Sequence, residues 1–115
     1  MTTEDPLLSV RALVLRDLAA RGLDSPAAVD VLEDAVQERR WWVQEWPEGA
    51  AYVAGQVAQD VQDRLLDVGV ARWPRCTACD EVEPHELRIA PELGPDPHWT
   101  CERAGMVVAP LGSLG

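Results

Sequence analysis

Residues 73–101 read WPRCTACDEVEPHELRIAPELGPDPHWTC. They hold all three cysteines, Cys76, Cys79 and Cys101, and both histidines, His85 and His98. They also hold five of the prolines, Pro74, Pro84, Pro91, Pro95 and Pro97, so no long helix can continue through them. A Cys-x2-Cys pair turns two thiolates onto one ion, and four thiolate or imidazole ligands make a tetrahedral zinc site. A complete ribbon repeats the pair, but position 104 is Ala, so the fourth ligand comes from elsewhere. His85 follows Cys79 closely enough to fold back over the metal. His98 forms His-x2-Cys with Cys101, yet residues three apart in a strand face opposite sides. The expected ligands are therefore Cys76, Cys79, Cys101 and His85, with His98 the alternative to His85. Four protein ligands make a closed, structural Zn2+ site with no position open for catalysis.

Around these residues the pattern is β. His85–Ala90 alternates polar and apolar, His98–Thr100 leads into Cys101, and Met106–Ala109 follows Gly105. Each reads as a strand. Pro91–Pro97 reads as a loop and Pro110–Gly115 as a tail.

Upstream the period changes to that of helices. Asp5-Pro6 and Ser25-Pro26 are start signals, a capping side chain followed by a proline tolerated in the first turn. The first helix runs to about Arg21 with two apolar stripes, one through Leu7, Val10, Val14 and Leu18 and one through Leu8, Ala12, Leu15 and Ala19. That breadth predicts burial of both. Gly22 stops it. The second helix runs to Trp46, with Leu32, Ala35, Val36, Arg39, Trp42, Val43 and Trp46 on one face. Trp42 and Trp46 are expected in the core or over the junction between helices and ribbon, and Pro47 ends the helix. The third spans about Glu48 to Val68, with a seam through Ala50, Ala54, Val57, Val61, Leu65 and Val68. Asp60 and Arg64 are spaced to pair along it. Met1–Asp5 reads as a polar tail.

The expected fold is thus α+β: a three-helix N-terminal bundle over residues 1–70, then a small zinc-ribbon-like β module over residues 71–115. The chain has 115 residues, 47% of them hydrophobic, enough for a core without covalent staples. Its net charge is −10, from 20 acids against 10 bases that are all Arg. That balance disfavours nucleic acid, whose phosphates are bound by Lys and Arg, and anionic membranes. No apolar run is long enough to span a bilayer. The acidic N-terminus lacks the basic start of a signal peptide, so a cytoplasmic protein is expected. Three cysteines in a reducing compartment suit metal better than disulfides. Lys, Asn and Phe are absent, the composition of a GC-rich genome such as an actinobacterial or phage one.

The strings WPRCTAC, EPHEL, PDPHWTCERAG and VVAPLGSL resemble the C-terminal part of small, uncharacterised actinobacterial (or actinophage) proteins. Those carry a Trp-Pro-x-Cys entry, a His-Pro step, a Trp-x-Cys strand and a closing Val-Ala-x-Leu-Gly. The resemblance covers residues 73–115 and implies a zinc-ribbon-like module without implying an activity. Its His-Pro histidine falls at Glu83, where this chain departs from the pattern and His85 substitutes.

Other constellations are weaker. Asp30, Asp34, Glu38, Asp60, Asp63 and Asp67 lack the Glu-x-x-His of a di-metal bundle and read as solvated faces. No P-loop or nucleophile elbow occurs. The function expected is that of a non-enzymatic protein-binding or structural protein, acting on a protein partner or a second copy of itself. One alternative is a metal-dependent enzyme whose open site holds the metal by three cysteines and a water, with Glu83 or Glu102 as base. The other is a nucleic-acid-associated ribbon using Arg72, Arg75, Arg88 and Arg103.

Overall fold

The computed structural model describes residues 5–80 and 82–114. Residues 1–4 of the expected polar tail lie outside them. Three helices come first: α1 Pro6–Ala20, α2 Pro26–Glu45 and α3 Val53–Asp67. A small antiparallel sheet follows, β1 Arg88–Ala90, β2 His98–Cys101 and β3 Met106–Pro110, in the order β1-β2-β3. The fold is α+β, with the helical part N-terminal.

Both start signals act as the sequence implies. Asp5 accepts the Leu7 N–H at 3.0 Å and Ser25 accepts the Ala28 N–H at 3.3 Å, each with proline in the first turn. Gly22 and Gly69 take positive φ just beyond α1 and α3, and the next residue's N–H reaches back to Leu18 O and Leu65 O. These are glycine stops of the Schellman kind, in which no Cβ opposes the left-handed backbone. The third helix begins later than the pattern suggested. Pro47–Tyr52 forms a 3-10 turn, and α-geometry starts at Val53.

One stripe of α1 is buried, not two. Leu7, Val10, Val14 and Leu18 join the core, while Leu8, Ala12 and Ala19 are exposed. A helix packed against its neighbours on one side covers only that side. The α3 seam buries Val53, Val57, Ala58, Val61 and Leu65 and leaves Val68 in solvent. Asp60 does not pair with Arg64. It accepts two hydrogen bonds from Arg39 of α2, at 2.8 and 3.1 Å, and Arg64 reaches Glu38 instead. Packing α2 beside α3 offers each arginine a carboxylate across the interface.

The tryptophans also redistribute. Trp42 is half-buried and stacks edge-on with Trp46, and Trp41 and Trp46 are exposed. Trp73 and Trp99 are the ones at the junction of helices and sheet, fully buried, with ring centroids 5.1 Å apart and planes at 79°. Such an edge-to-face pair is worth about 0.5–1.5 kcal/mol beyond its burial. With Leu87, Ile89 and Leu111 they join the helix residues in one continuous core.

Polar ties from Gln62, Gln56 and Asp17 help to hold the sheet side to the helices. Gln62 of α3 donates to Leu87 O at 2.7 Å in a buried setting, and Gln56 donates to Glu92 O at 2.8 Å. The most buried of them is at Asp17 on α1. It is completely buried, and its carboxyl accepts the Trp99 indole N–H at 2.8 Å, the Gly112 N–H, and the Leu114 N–H at 3.0 Å. The expected tail at 110–115 is therefore anchored at least to Leu114. Two backbone N–H groups that a loose tail would give to water are given to a carboxyl group on the first helix.

Candidate metal centre

The first strand is shorter than its sequence pattern, and the reason bears on the site. Residues 85–87 do not extend β1. They lie against residues 74–76, where Cys76 N donates to His85 O at 2.8 Å and Leu87 N donates to Pro74 O at 2.7 Å. This short antiparallel bridge sets Cys76 beside His85. Cys79 comes back over them through the Cys-x2-Cys turn. Cys101 arrives from β2, whose alternation puts Trp99 and Cys101 on the same buried face. Trp99 points to Asp17, and Cys101, two residues on, points to the other thiols.

The result is a four-residue cluster. One ligand atom each from Cys76, Cys79, His85 and Cys101 lies within 4.8 Å of the others, and this group can hold a metal ion. Cys76 Sγ and Cys79 Sγ are 3.7 Å apart, and His85 Nε2 is 3.4 Å from both Cys79 Sγ and Cys101 Sγ. His85 Nδ1 faces Glu83 O at 2.9 Å. A carbonyl can only accept, so Nδ1 carries the proton and the Nε2 lone pair is left for the thiols' side. Glu83, where the resemblance would put its histidine, thus orients His85 through its backbone. Its side chain meets Arg103 at 3.3 Å.

The thiols are prepared for charge. Burial pushes the Cys76 thiol up, but the N–H groups of Ala78 and Cys79, helped by the Cys79 thiol, outweigh it and leave Cys76 below its ordinary range. At Cys101 the Ala104 N–H, 3.4 Å from the sulfur, is the largest influence and lowers it. Burial opposes, and the neighbouring thiols and the Arg103 N–H lower it further. Both turns therefore aim backbone N–H groups at a sulfur. The second turn keeps that geometry with Ala104 standing where a second cysteine would complete the repeat.

The remaining expected residues lie elsewhere. His98 begins β2 on the face away from the cluster and lines a shallow cleft with Leu13 and Asp96. Glu102 is exposed on the turn after Cys101. Asp30, Asp34, Asp63 and Asp67 are exposed, and no second metal-capable group forms among the described residues. Sequence reasoning missed Asp17. Its signal was available: Leu7, Val10 and Val14 step by three and four, and three more residues reach Asp17, an acid on the buried stripe. A carboxyl group there needs partners from another part of the chain.

Residues 3–111 match the model of a family described as a domain of unknown function, DUF8819. No curated protein matches, and no solved structure matches. No helix among the described residues is long and apolar enough to cross a membrane.

Proposed function

This chain belongs to the DUF8819 family, and we propose that it is a non-enzymatic protein-binding or structural protein whose Cys76, Cys79, His85 and Cys101 hold one structural Zn2+. One observation carries the reading: the spacing of the four ligand atoms. A tetrahedron with Zn–S of about 2.3 Å and Zn–N of about 2.05 Å has S···S edges of about 3.8 Å and S···N edges of about 3.6 Å. Three of the six edges, at 3.7, 3.4 and 3.4 Å, lie close to those values, and all four atoms lie within 4.8 Å of one another.

As fourth ligand, His85 would fill the vertex that a catalytic site leaves to water. This supports a closed centre over the alternative of three cysteines and a water. Zinc there would bind with an apparent free energy on the order of 10 kcal/mol, ordering a module whose strands are three to five residues long. The ribbon-like module and the actinobacterial resemblance belong to the same proposal. So does a cytoplasmic setting, where thiols stay reduced. The charge of −10 supports a protein partner or a second copy over nucleic acid or membrane.

Protein purified without chelators should contain about one zinc per chain by elemental analysis, as a single four-ligand site requires. A folded, monodisperse, metal-free preparation that takes up no zinc would overturn the zinc reading.

A further inference from the structure

Between the C-terminus of α1 and the entry to the cysteine module lies an open groove of about 350 Å³. Leu23, Ala71 and the covered edge of Trp73 give it apolar walls. Arg21, Arg72 and Arg75 give it charge, and no acid lines it among the described residues. In a chain with 20 acids and 10 bases this is an inversion of the surrounding surface. Two of the cations are held in place. Arg21 donates to Arg75 O at 2.9 Å, and Arg72 meets Glu86 at 3.1 Å from outside the groove. The guanidinium of Arg75 makes no ion pair among the described residues. Thr77, inside the Cys76-x2-Cys79 turn, closes the end nearest the metal centre.

We propose that this groove binds a short acidic peptide segment of a partner protein, with apolar side chains against Leu23 and Ala71 and carboxylates on Arg72 and Arg75. The occupant follows from charge complementarity. An anionic, partly apolar ligand is attracted here and repelled by the rest of an acidic surface, which gives specificity as well as orientation. Arginine suits the task because its planar fork takes a carboxylate in two hydrogen bonds. The groove's size fits a few residues, and the buried Trp73 ring gives it a firm floor. The proposal rests on the protein-binding part of the function above.

The test is fluorescence anisotropy with a fluorescein-labelled octapeptide of alternating Glu and Leu, on the full chain purified without chelators. Saturable binding is expected. It should weaken about tenfold or more in the double variant Arg72→Glu, Arg75→Glu, and again when salt rises to about 0.5 M. Zinc content and far-UV circular dichroism are measured on the same samples. Should the double variant misfold, amide chemical-shift mapping on the wild-type chain replaces it, with shifts expected at Leu23 and residues 71–77. Absence of saturable binding, equal binding by a folded double variant, shifts confined to another face, or tighter binding of an oligothymidylate of equal length would each overturn the proposal. Peptide binding without zinc stoichiometry supports the groove and sinks only the zinc reading. Full zinc without peptide binding does the reverse.

Discussion

The indole N–H of Trp99 ends on the carboxyl group of Asp17 at 2.8 Å, joining residues 82 positions apart. The same carboxyl accepts Gly112 and Leu114 N–H groups, so one side chain of α1 fixes β2 and the segment after β3 together. Replacement by Ala would leave three buried or half-buried donors unpaired. Asp17→Ala is expected to cost about 3 kcal/mol or more, since each orphaned donor costs about 1–3 kcal/mol. Urea unfolding measures the loss. The Trp99 indole proton resonance should move toward its unbonded position, and an unchanged resonance would dismiss the link.

The two histidines should separate cleanly. His85→Ala removes a ligand atom 3.4 Å from two sulfurs, whereas His98→Ala touches the far side of β2. Zinc affinity, read by competition with a chromophoric chelator, is expected to fall at least about tenfold in the first variant, the scale of perturbing even the residues behind the ligands. It should be unchanged in the second. Equal affinities would remove His85 from the centre.

The thiols give a pH signature. Cys76 and Cys101 lie below the ordinary cysteine value of 9.0 in the fold, chiefly because backbone N–H groups at each turn outweigh burial. A depressed folded value adds stability above the unfolded value, and that contribution is lost as pH falls through the folded one. The share of the thiolate absorbance near 240 nm that a Cys76→Ser or Cys101→Ser change removes from metal-free protein should therefore have a midpoint below 9.0. Metal release on acidification is expected too, as protons compete for the ligands. A thiolate midpoint at or above the ordinary value would contradict the turn geometry.

Gly55 tests how closely α3 meets the loop after β1. A Cβ added there would sit 2.7 Å from Pro91 O and 2.8 Å from Glu92 O. In an open helix Gly→Ala gains up to about 1 kcal/mol. Here Gly55→Ala is expected to reverse sign and cost about 1–3 kcal/mol, because backbone atoms must move. Thermal unfolding decides it, and a rise in Tm would show that the loop yields freely.

Much of this was legible in the chain. Asp5-Pro6, Ser25-Pro26, Gly22 and Gly69 act locally, through caps and a left-handed stop, so three or four residues suffice to read them. The cysteine pair is local in the same way, and Cys101 is marked by the Trp-Thr-Cys strand before it. What escaped depends on packing at a distance. Nothing local says which α1 stripe enters the core, that Arg39 reaches Asp60 across two helices, or that Trp73 and Trp99 take the junction while Trp41 and Trp46 stay outside. The short bridge of residues 74–76 with 85–87 hid inside an alternation that also fits a longer β1. Asp17 was visible as an acid on an apolar stripe, but its partners lie in the last quarter of the chain.

The ligand contacts and the Asp17 contacts differ in reach. The ligand contacts include separations of 3, 6 and 16 residues, whereas those to Asp17 span 82, 95 and 97. Loop closure costs grow with the logarithm of length, so closing the longest of these costs about 1.6 kcal/mol more than closing the 16-residue span. The metal turns can therefore close early, and the bonds to the first helix are a late, long-range event. In folding kinetics the two kinds of contact should part company. Asp17→Ala is expected mainly to speed unfolding and to leave the refolding rate nearly unchanged, as for contacts absent from the transition state.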